Sequence, residues 1–137
     1  MKFKITNDGN KDEITEIKNM LEEYNTAHGA KSDGTPIAVY CEDEDGRKLA
    51  GITGIAFGNW LSIHFLFVSD TLRGQGIGAR LIALAENEAR AKGCKYAYVT
   101  TNSFQAPGFY TKLGYKCVFT QKEFPVNGEK FHLIKEF

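Results

Sequence analysis

Three glycines in one short turn are the clearest chemical signal in this sequence of 137 residues. The segment Arg73-Gly74-Gln75-Gly76-Ile77-Gly78 follows an apolar run and precedes a stretch with helical periodicity. Glycine permits a sharp turn and lets backbone N–H groups approach a ligand without an intervening Cβ. The first N–H groups of a helix have no acceptor within the helix, and the helix dipole there favours negative charge. The turn therefore predicts a binding site for a diphosphate.

Two common nucleotide-binding motifs do not fit this turn. A Walker P-loop ends in Gly-Lys-Ser/Thr, whereas this turn ends in Gly78-Ala79-Arg80. A dinucleotide fingerprint has the spacing G-x-G-x-x-G and an acidic residue about 20 residues later, at the end of a strand. Here the glycines alternate, and the next predicted strand ends in Val99-Thr100-Thr101 without a carboxylate. Hydrolysis of a Mg-nucleotide and binding of a dinucleotide are therefore disfavoured.

The elements that must position this turn follow an α/β order. The apolar run Trp60–Val68 predicts a central strand covered on both faces, and residues 77–92 have the apolar spacing of a helix. Periodicity and turn residues predict strand 2–6, a helix capped by Asn10 and running to Tyr24, strands 37–41, 49–57 and 60–68, helix 77–92, strand 96–101, helix 106–113, and strands 116–123 and 130–137. We therefore expect an α/β fold with one mixed, mostly antiparallel sheet flanked by helices, as a single domain over residues 1–137.

Composition and charge limit the class of protein. Lys and Arg together number 17, as do Asp and Glu, and this balance argues against affinity for nucleic-acid phosphates. No apolar run approaches the roughly 20 residues of a bilayer-spanning helix, and the first residues lack the features of a signal peptide. Cys41, Cys94 and Cys117 are widely spaced, which is typical of reduced thiols in a cytosolic protein. The expectation is a cytoplasmic protein without a metal site, a nucleic-acid partner or a membrane partner.

Two motifs resemble those of the GNAT superfamily of N-acetyltransferases. Arg73-x-x-Gly76-x-Gly78 is similar to the superfamily signature Q/R-x-x-G-x-G/A and lies at the same strand–helix junction. The segment 106–115, with the sequence APGFYTKLGY, resembles the second signature A-x-x-x-Y-x-K-x-G-F/Y. The order of elements matches over essentially the whole chain, which implies the GNAT acyl-CoA N-acyltransferase fold. Residues 104–106, FQA, resemble a bacterial subgroup of small members, a likeness that names no substrate.

The resemblance implies acetyl-coenzyme A as the co-substrate. Its pantetheine arm would lie where strands 60–68 and 96–101 run parallel and splay apart, and would bind the backbone of Phe67 and Val68. An N–H near Val68 would polarise the thioester carbonyl. Arg73 would shape the glycine-rich turn. The diphosphate would bind backbone N–H groups of the turn and the helix start, namely those of Gly74, Gly76, Ile77, Gly78 and Ala79.

Tyr110 occupies the position of the superfamily's tyrosine. The resemblance implies that Tyr110 contacts the cofactor and hydrogen-bonds the departing thiolate as a general acid, because a phenol keeps its proton at neutral pH. The alternative is that Tyr110 is a core aromatic side chain beside Phe109 and Tyr115.

The general base is left open by the sequence. Some members of the superfamily carry a glutamate on the central strand at the position of Ser62, and serine cannot deprotonate an ammonium group unaided. His64 follows two residues later on the same face of the strand, and histidine side chains titrate near neutral pH. His64 is therefore a candidate catalytic base, with a hydrogen-bonded core histidine as the alternative. A water chain to solvent, or His28, would also serve.

A further cofactor contact is placed at the end of strand 96–101. Members of the superfamily often have an asparagine three residues before the alanine of the second signature. Ser103 occupies that position here, and Asn102 is adjacent. The resemblance therefore implies Ser103 as a cofactor ligand, with Asn102 as the alternative.

The resulting hypothesis is an N-acetyltransferase that moves the acetyl group of acetyl-CoA to an amine of a small molecule, by direct attack in a ternary complex. Acetylation of a protein or peptide amine is the second hypothesis. A non-catalytic acyl-CoA-binding module is the third, and the presence of Tyr110 disfavours it. The resemblance also allows a homodimer. The sequence identifies neither the acceptor amine nor the preferred acyl chain.

Overall fold

The computed structural model describes residues 1–30, 34–105 and 107–137. Ala106, the first residue of the second motif, lies outside the described residues, as do residues 31–33 of the loop predicted after the first helix. The chain divides into two compact units, Met1–Asp33 and Gly34–Phe137. A single domain over residues 1–137 stays a prediction.

The first unit contains one helix, α1 (Asp12–Ala27). The helix begins slightly later than predicted, with Lys11 at the N-cap position. Asn10 still serves the helix start, because its side-chain Oδ1 accepts a hydrogen bond of 3.0 Å from the N–H of Asp12. The predicted strand over residues 2–6 is wrong, since these residues form no regular element. A strand needs a neighbour that pairs its backbone groups, and the described part of this unit offers only a helix.

The second unit is a mixed sheet with helices on it. The strands are β1 (Thr35–Glu42), β2 (Lys48–Phe57), β3 (Trp60–Val68), β4 (Tyr96–Asn102), β5 (Lys116–Lys122) and β6 (Glu129–Glu136), and the helices are α2 (Ile77–Ala91) and α3 (Pro107–Lys112). The spatial order is β1-β2-β3-β4-β6-β5. Four of the five neighbouring pairs are antiparallel and β3–β4 is parallel. The predicted α/β fold is confirmed. No described helix has the length and apolar character needed to cross a bilayer.

The core lies on the face of the sheet that packs against α2. Helix α2 contacts β1, β2 and β3, and buried alternate residues of the strands meet its apolar stripe. These residues are Ala50, Ile52, Ala56, Ala97 and Val99 on the strands and Leu81, Ile82, Ala85 and Ala89 on α2. The opposite face is more open, because Phe65 and Phe67 are 77% and 63% exposed. Strand β3 is central as predicted, and within the second unit α2 covers one of its faces.

A β-bulge interrupts β3 at His64. The consecutive residues Thr53 and Gly54 of β2 lie opposite Phe65 and Ile63, so that His64 is the extra residue between them. One extra residue in one strand bends it and breaks the in-and-out alternation of side chains. His64 and Phe65 are consequently both exposed.

The bulge reverses which residues of β3 face the core. Ile63 is buried before it, and Leu66 packs against the core after it. The close approach of the strands also explains Gly54, because a Cβ there would overlap the backbone carbonyl oxygen of Ser62. A glycine within a strand pattern is a known signal of such a bulge.

A buried carboxylate connects α2 to the far end of the sheet. Glu86 of α2 is 5% exposed. Its Oε2 accepts a hydrogen bond of 2.8 Å from the Tyr115 hydroxyl, and its Oε1 lies 3.0 Å from Nζ of Lys135 on β6. Burial, followed by the hydrogen bond to Glu86, raises the pKa of Tyr115 above its usual range. The phenol therefore remains a hydrogen-bond donor to this carboxylate.

Replacing Glu86 with alanine should lower the free energy of unfolding by about 3 kcal/mol, because it leaves a half-buried ammonium group without its partner. Urea unfolding of both proteins measures the loss. Glu88→Ala on the same helix is the matched control, since Glu88 pairs with Lys92 at 3.5 Å on the surface and should cost less than about 1 kcal/mol. Equal losses in the two variants would contradict a structural role for the buried pair.

Candidate active site

Strands β3 and β4 pair only near their first residues. The parallel register joins Trp60 to Tyr96, Leu61 to Ala97 and Ser62 to Tyr98. Both strands continue beyond the last pair, β3 as far as Val68 and β4 as far as Asn102. A V-shaped gap therefore opens between their carboxyl ends, with Ser62 and Tyr98 at its apex.

Backbone groups of β3 point into this gap. Ser69 donates its N–H to the carbonyl oxygen of Leu49 at 2.9 Å. Hydrogen-bonded and non-hydrogen-bonded pairs alternate along antiparallel strands. Counting back from Ser69, Phe67 directs its backbone groups to β2, whereas Val68 and Leu66 direct theirs away from β2 into the gap. The register thus supports the predicted backbone contact at Val68 and moves the one predicted for Phe67 to Leu66.

The glycine-rich turn presents free N–H groups at the start of α2. Gly74 and Gly76 have positive φ values of 78° and 74°, a left-handed conformation that residues with a Cβ rarely adopt. Gly76 is the N-cap, and no side chain caps the helix. The N–H of Arg80 donates to the Gly76 carbonyl at 3.1 Å, so the N–H groups of residues 77–79 have no acceptor within the helix. The arrangement suits an anion.

Arg73 lies against the backbone of the turn. Its Nε is 3.2 Å from Oδ1 of Asp70 and 3.5 Å from the carbonyl oxygen of Val68. Nearby, the side-chain amide of Gln75 donates to the carbonyl oxygen of Thr71 at 3.2 Å. These contacts join the end of β3 to the glycine-rich turn. The predicted role of Arg73 in shaping the turn is consistent with them.

Packing at Gly78 brings α3 to the same place. A Cβ on Gly78 would lie 3.2 Å from Cζ of Phe109 and 3.7 Å from Cγ2 of Val68. The Phe109 ring therefore fits against the first turn of α2 and the last residue of β3. Glycine is needed at residue 78 for this close contact, and the next residue along α3 is Tyr110.

Tyr110 is held among aromatic rings. It is 9% exposed and makes edge-to-face contacts with Phe109 and Tyr115 at centroid distances of 5.1 and 5.8 Å. Burial raises the pKa of the Tyr110 phenol above its usual range. The phenol therefore keeps its proton throughout the neutral range and is suited to donating a hydrogen bond.

Ser103 and Asn102 differ in their hydrogen bonding. The Ser103 hydroxyl accepts a hydrogen bond of 3.1 Å from the N–H of Glu129, and the Ser103 N–H donates to the Glu129 carbonyl at 2.8 Å. Ser103 thus ties β4 to β6. The side-chain Oδ1 of Asn102 is buried and has no hydrogen-bond partner among the described residues. Because a buried polar atom without a partner is costly, Asn102 is the better candidate for binding a ligand.

The three histidines lie in different surroundings. His64 is exposed at the bulge on β3, two residues beyond the apex of the gap. His28 belongs to the first unit, where its Nδ1 is 2.8 Å from the carbonyl oxygen of Tyr24. His132 lies on β6, half-buried. The role of His64 as a base stays a prediction.

A polar pair that the sequence analysis did not single out lies beside the apex of the gap. The Tyr98 hydroxyl is 2.7 Å from Nδ1 of His132, and Nε2 of His132 is 3.4 Å from Oε1 of Gln121. Tyr98 and His132 are far apart in sequence and meet because β4 pairs with β6. No local motif could have revealed this contact, since it depends on the register of the two strands.

Comparison with known proteins identifies the family of the chain. Residues 4–115 match the model of the acetyltransferase (GNAT) family. Blasticidin-S acetyltransferase of Streptomyces morookaense is 39% identical over 100 residues, which cover 72% of this chain and 74% of that protein. The chain therefore belongs to the GNAT family of acetyltransferases, and it is an acyltransferase enzyme.

Solved structures share the fold. A solved structure from Agrobacterium tumefaciens matches with a TM-score of 0.91 and 29% identity over 100% of both chains. A structure from Bacillus anthracis, solved in complex with acetyl coenzyme A, matches with a TM-score of 0.67 and 18% identity, covering 81% of this chain and 67% of that one.

Proposed function

We propose that the protein transfers the acetyl group of acetyl-CoA to a primary amine of a small molecule, by direct attack in a ternary complex. One observation carries the proposal: an uncapped helix start behind two left-handed glycines lies next to a gap lined by unpaired backbone groups. A diphosphate needs the first feature, and an extended, amide-containing pantetheine arm needs the second.

The cofactor would bind across three elements. The diphosphate would accept hydrogen bonds from the N–H groups of residues 77–79, and the arm would pair with Leu66 and Val68. Asn102, at the end of β4, would bond the arm from the other side of the gap. The match to a fold neighbour crystallised with acetyl coenzyme A supports the same cofactor.

The proposed reaction is attack of an amine on a thioester, with the thiolate of coenzyme A as the leaving group. The nitrogen of a neutral amine forms a bond to the thioester carbon, and the bond from that carbon to sulfur breaks. The backbone N–H of Val68 would stabilise the negative charge that develops on the carbonyl oxygen. Tyr110 would donate a hydrogen bond to the departing thiolate, because its buried phenol stays protonated.

The cysteines favour direct transfer over an acyl-enzyme route. Cys41, Cys94 and Cys117 are free thiols, and burial raises the pKa of Cys94, which lowers its thiolate content and its nucleophilicity. Three free thiols are also in keeping with our proposal that the enzyme works in the reducing cytoplasm.

A small molecule is the preferred acceptor because a relative at 39% identity is named for acetylation of blasticidin S. The test of the acceptor is thiol release from acetyl-CoA with blasticidin S, spermidine and a lysine-containing peptide as amines. Faster release with either small amine supports the proposal. Release with the peptide alone would replace it with peptide acetylation.

Acetyl-CoA should stabilise the folded protein. At 100 times its dissociation constant, a ligand of the native state adds about 2.7 kcal/mol to the free energy of unfolding, which raises the midpoint of thermal unfolding clearly. NADH and ATP at equal concentration are the controls and should give no comparable rise. No shift at millimolar acetyl-CoA would refute the proposed cofactor.

A further inference from the structure

We propose that the Tyr98–His132 pair is the proton acceptor for the attacking amine: Tyr98 takes the proton from the acceptor ammonium group while passing its own to His132. The inference rests on the proposed function, because it assigns the base for that reaction. It differs from the candidate base named by the sequence, His64.

Tyr98 lies at the apex of the gap, on the face of the sheet opposite the core. Ser62 and Tyr98 are register partners at the apex of the gap. Their neighbours Leu61 and Ala97 are buried in the core, so Ser62 and Tyr98 point to the opposite face of the sheet. Both are half-buried and remain accessible from that face. In the proposed arrangement, an amine that approaches a thioester in the gap from this face would give its proton to the Tyr98 hydroxyl.

The two side-chain contacts of His132 favour one tautomer of its imidazole. Nε2 of His132 faces a carbonyl oxygen, Oε1 of Gln121, at 3.4 Å, which favours a proton on Nε2. Nδ1 is then the unprotonated nitrogen and accepts the Tyr98 O–H at 2.7 Å. The Phe119 ring, with its centroid 5.2 Å from that of His132, packs beside the imidazole. In this arrangement the lone pair of His132 Nδ1 faces the Tyr98 hydroxyl and can accept its proton.

No carboxylate among the described residues bonds to this imidazole, whose two partners are uncharged. On β3 to β6, alternation along the paired strands places further titratable side chains on the same face, which are His64 on β3, Tyr96 on β4, Lys116 on β5, and Lys130 and Glu136 on β6. Lys130 is turned to the Phe124 ring, with its Nζ 5.0 Å from the centroid.

The acceptor enters as R–NH₃⁺ and gives one proton to the Tyr98 oxygen as the Tyr98 proton moves to Nδ1 of His132, leaving a neutral amine, a neutral phenol and an imidazolium. The amine then forms its bond to the thioester carbon, the carbon–sulfur bond breaks, and the second N–H proton ends on the coenzyme A sulfur. His132 finally releases its proton to solvent. Tyr98 is the catalytic residue, and His132 acts through it.

The test is the pH dependence of kcat/KM for the fastest amine among blasticidin S, spermidine and the lysine peptide. We expect Tyr98→Phe to lower kcat/KM about a hundredfold at pH 7, and His132→Asn about tenfold. The deficit of His132→Asn should shrink towards pH 9, since free amine from solution then replaces the missing base. The KM for acetyl-CoA should stay within about twofold, because neither residue binds the cofactor.

The controls separate catalysis from structure. The thermal unfolding midpoints of His132→Asn and His132→Gln are compared with their activities. This comparison shows whether a loss of activity follows from a loss of folding. If His132→Asn lowered kcat/KM by the same factor at every pH, the inference would be overturned. It would also be overturned if the deficit in kcat/KM depended on pH in His64→Asn and not in His132→Asn. If the wild-type protein transferred acetyl groups to none of these amines, the proposed function itself would fail. Transfer with an unchanged pH profile in His132→Asn would refute only the role of the pair.

Discussion

Replacing Tyr110 with phenylalanine is expected to lower turnover by roughly one to three orders of magnitude and to leave acetyl-CoA affinity near that of the wild type. The range is about that of removing a single general acid. The change deletes only a hydroxyl, so the edge-to-face contacts of the ring with Phe109 and Tyr115 remain. Steady-state kinetics with acetyl-CoA and the best amine measure turnover, and thermal unfolding with acetyl-CoA measures binding.

Tyr115→Phe is the matched control for this variant. It deletes the same atom from the neighbouring tyrosine, whose hydroxyl donates to Glu86 at 2.8 Å. We expect it to lose about 1 to 2 kcal/mol of stability with turnover close to that of the wild type. If Tyr110→Phe kept full turnover, Tyr110 would have no part in the chemistry and its core-aromatic interpretation would hold.

Gly76→Glu is expected to abolish stabilisation by acetyl-CoA. Gly76 is the N-cap of α2 with a φ of 74°, so a side chain there is strained and places a carboxylate beside the free N–H groups of residues 77–79. Both the occupied space and the negative charge would oppose a diphosphate. The measurement is the change in unfolding midpoint on adding acetyl-CoA.

The control for Gly76→Glu is Gly93→Glu, just beyond the other end of α2. Gly93 also has a positive φ, 95°, and no heavy atom would lie within 4 Å of a Cβ there. The two variants therefore share backbone strain and added charge but differ in their place on the helix. Gly93→Glu should still respond to acetyl-CoA. An equal response in folded Gly76→Glu would refute the diphosphate site.

The fold of the second unit was predictable because its signals are local. Apolar spacing marked α2, and the turn at Gly58 and Asn59 marked the hairpin between β2 and β3, which the structure closes with the pair Phe57–Trp60. The predicted first strand over residues 2–6 was wrong because its weak alternation carried no information on a pairing partner.

The site was predictable where it depends on a motif and not where it depends on register. The glycine-rich turn and Tyr110 follow from sequence patterns, and Gly54 was an available but unused signal for the bulge at His64. The direction of the Leu66 backbone and the contact between Tyr98 and His132 arise from pairing between strands. Such pairing joins residues by the alignment of whole strands, which no segment read alone specifies.

The parallel pairing between β3 and β4 is shorter than the pairing between the other neighbouring strands. It makes two three-stranded leaves, β1-β2-β3 and β4-β6-β5, that are joined along only three residue pairs. Helix α2 packs mainly on the first leaf, and the buried pair Glu86–Lys135 adds a polar link from that helix to the second. The buried carboxylate therefore links the two leaves on the core side of the sheet, and in the proposed function it would limit how far the gap opens around acetyl-CoA.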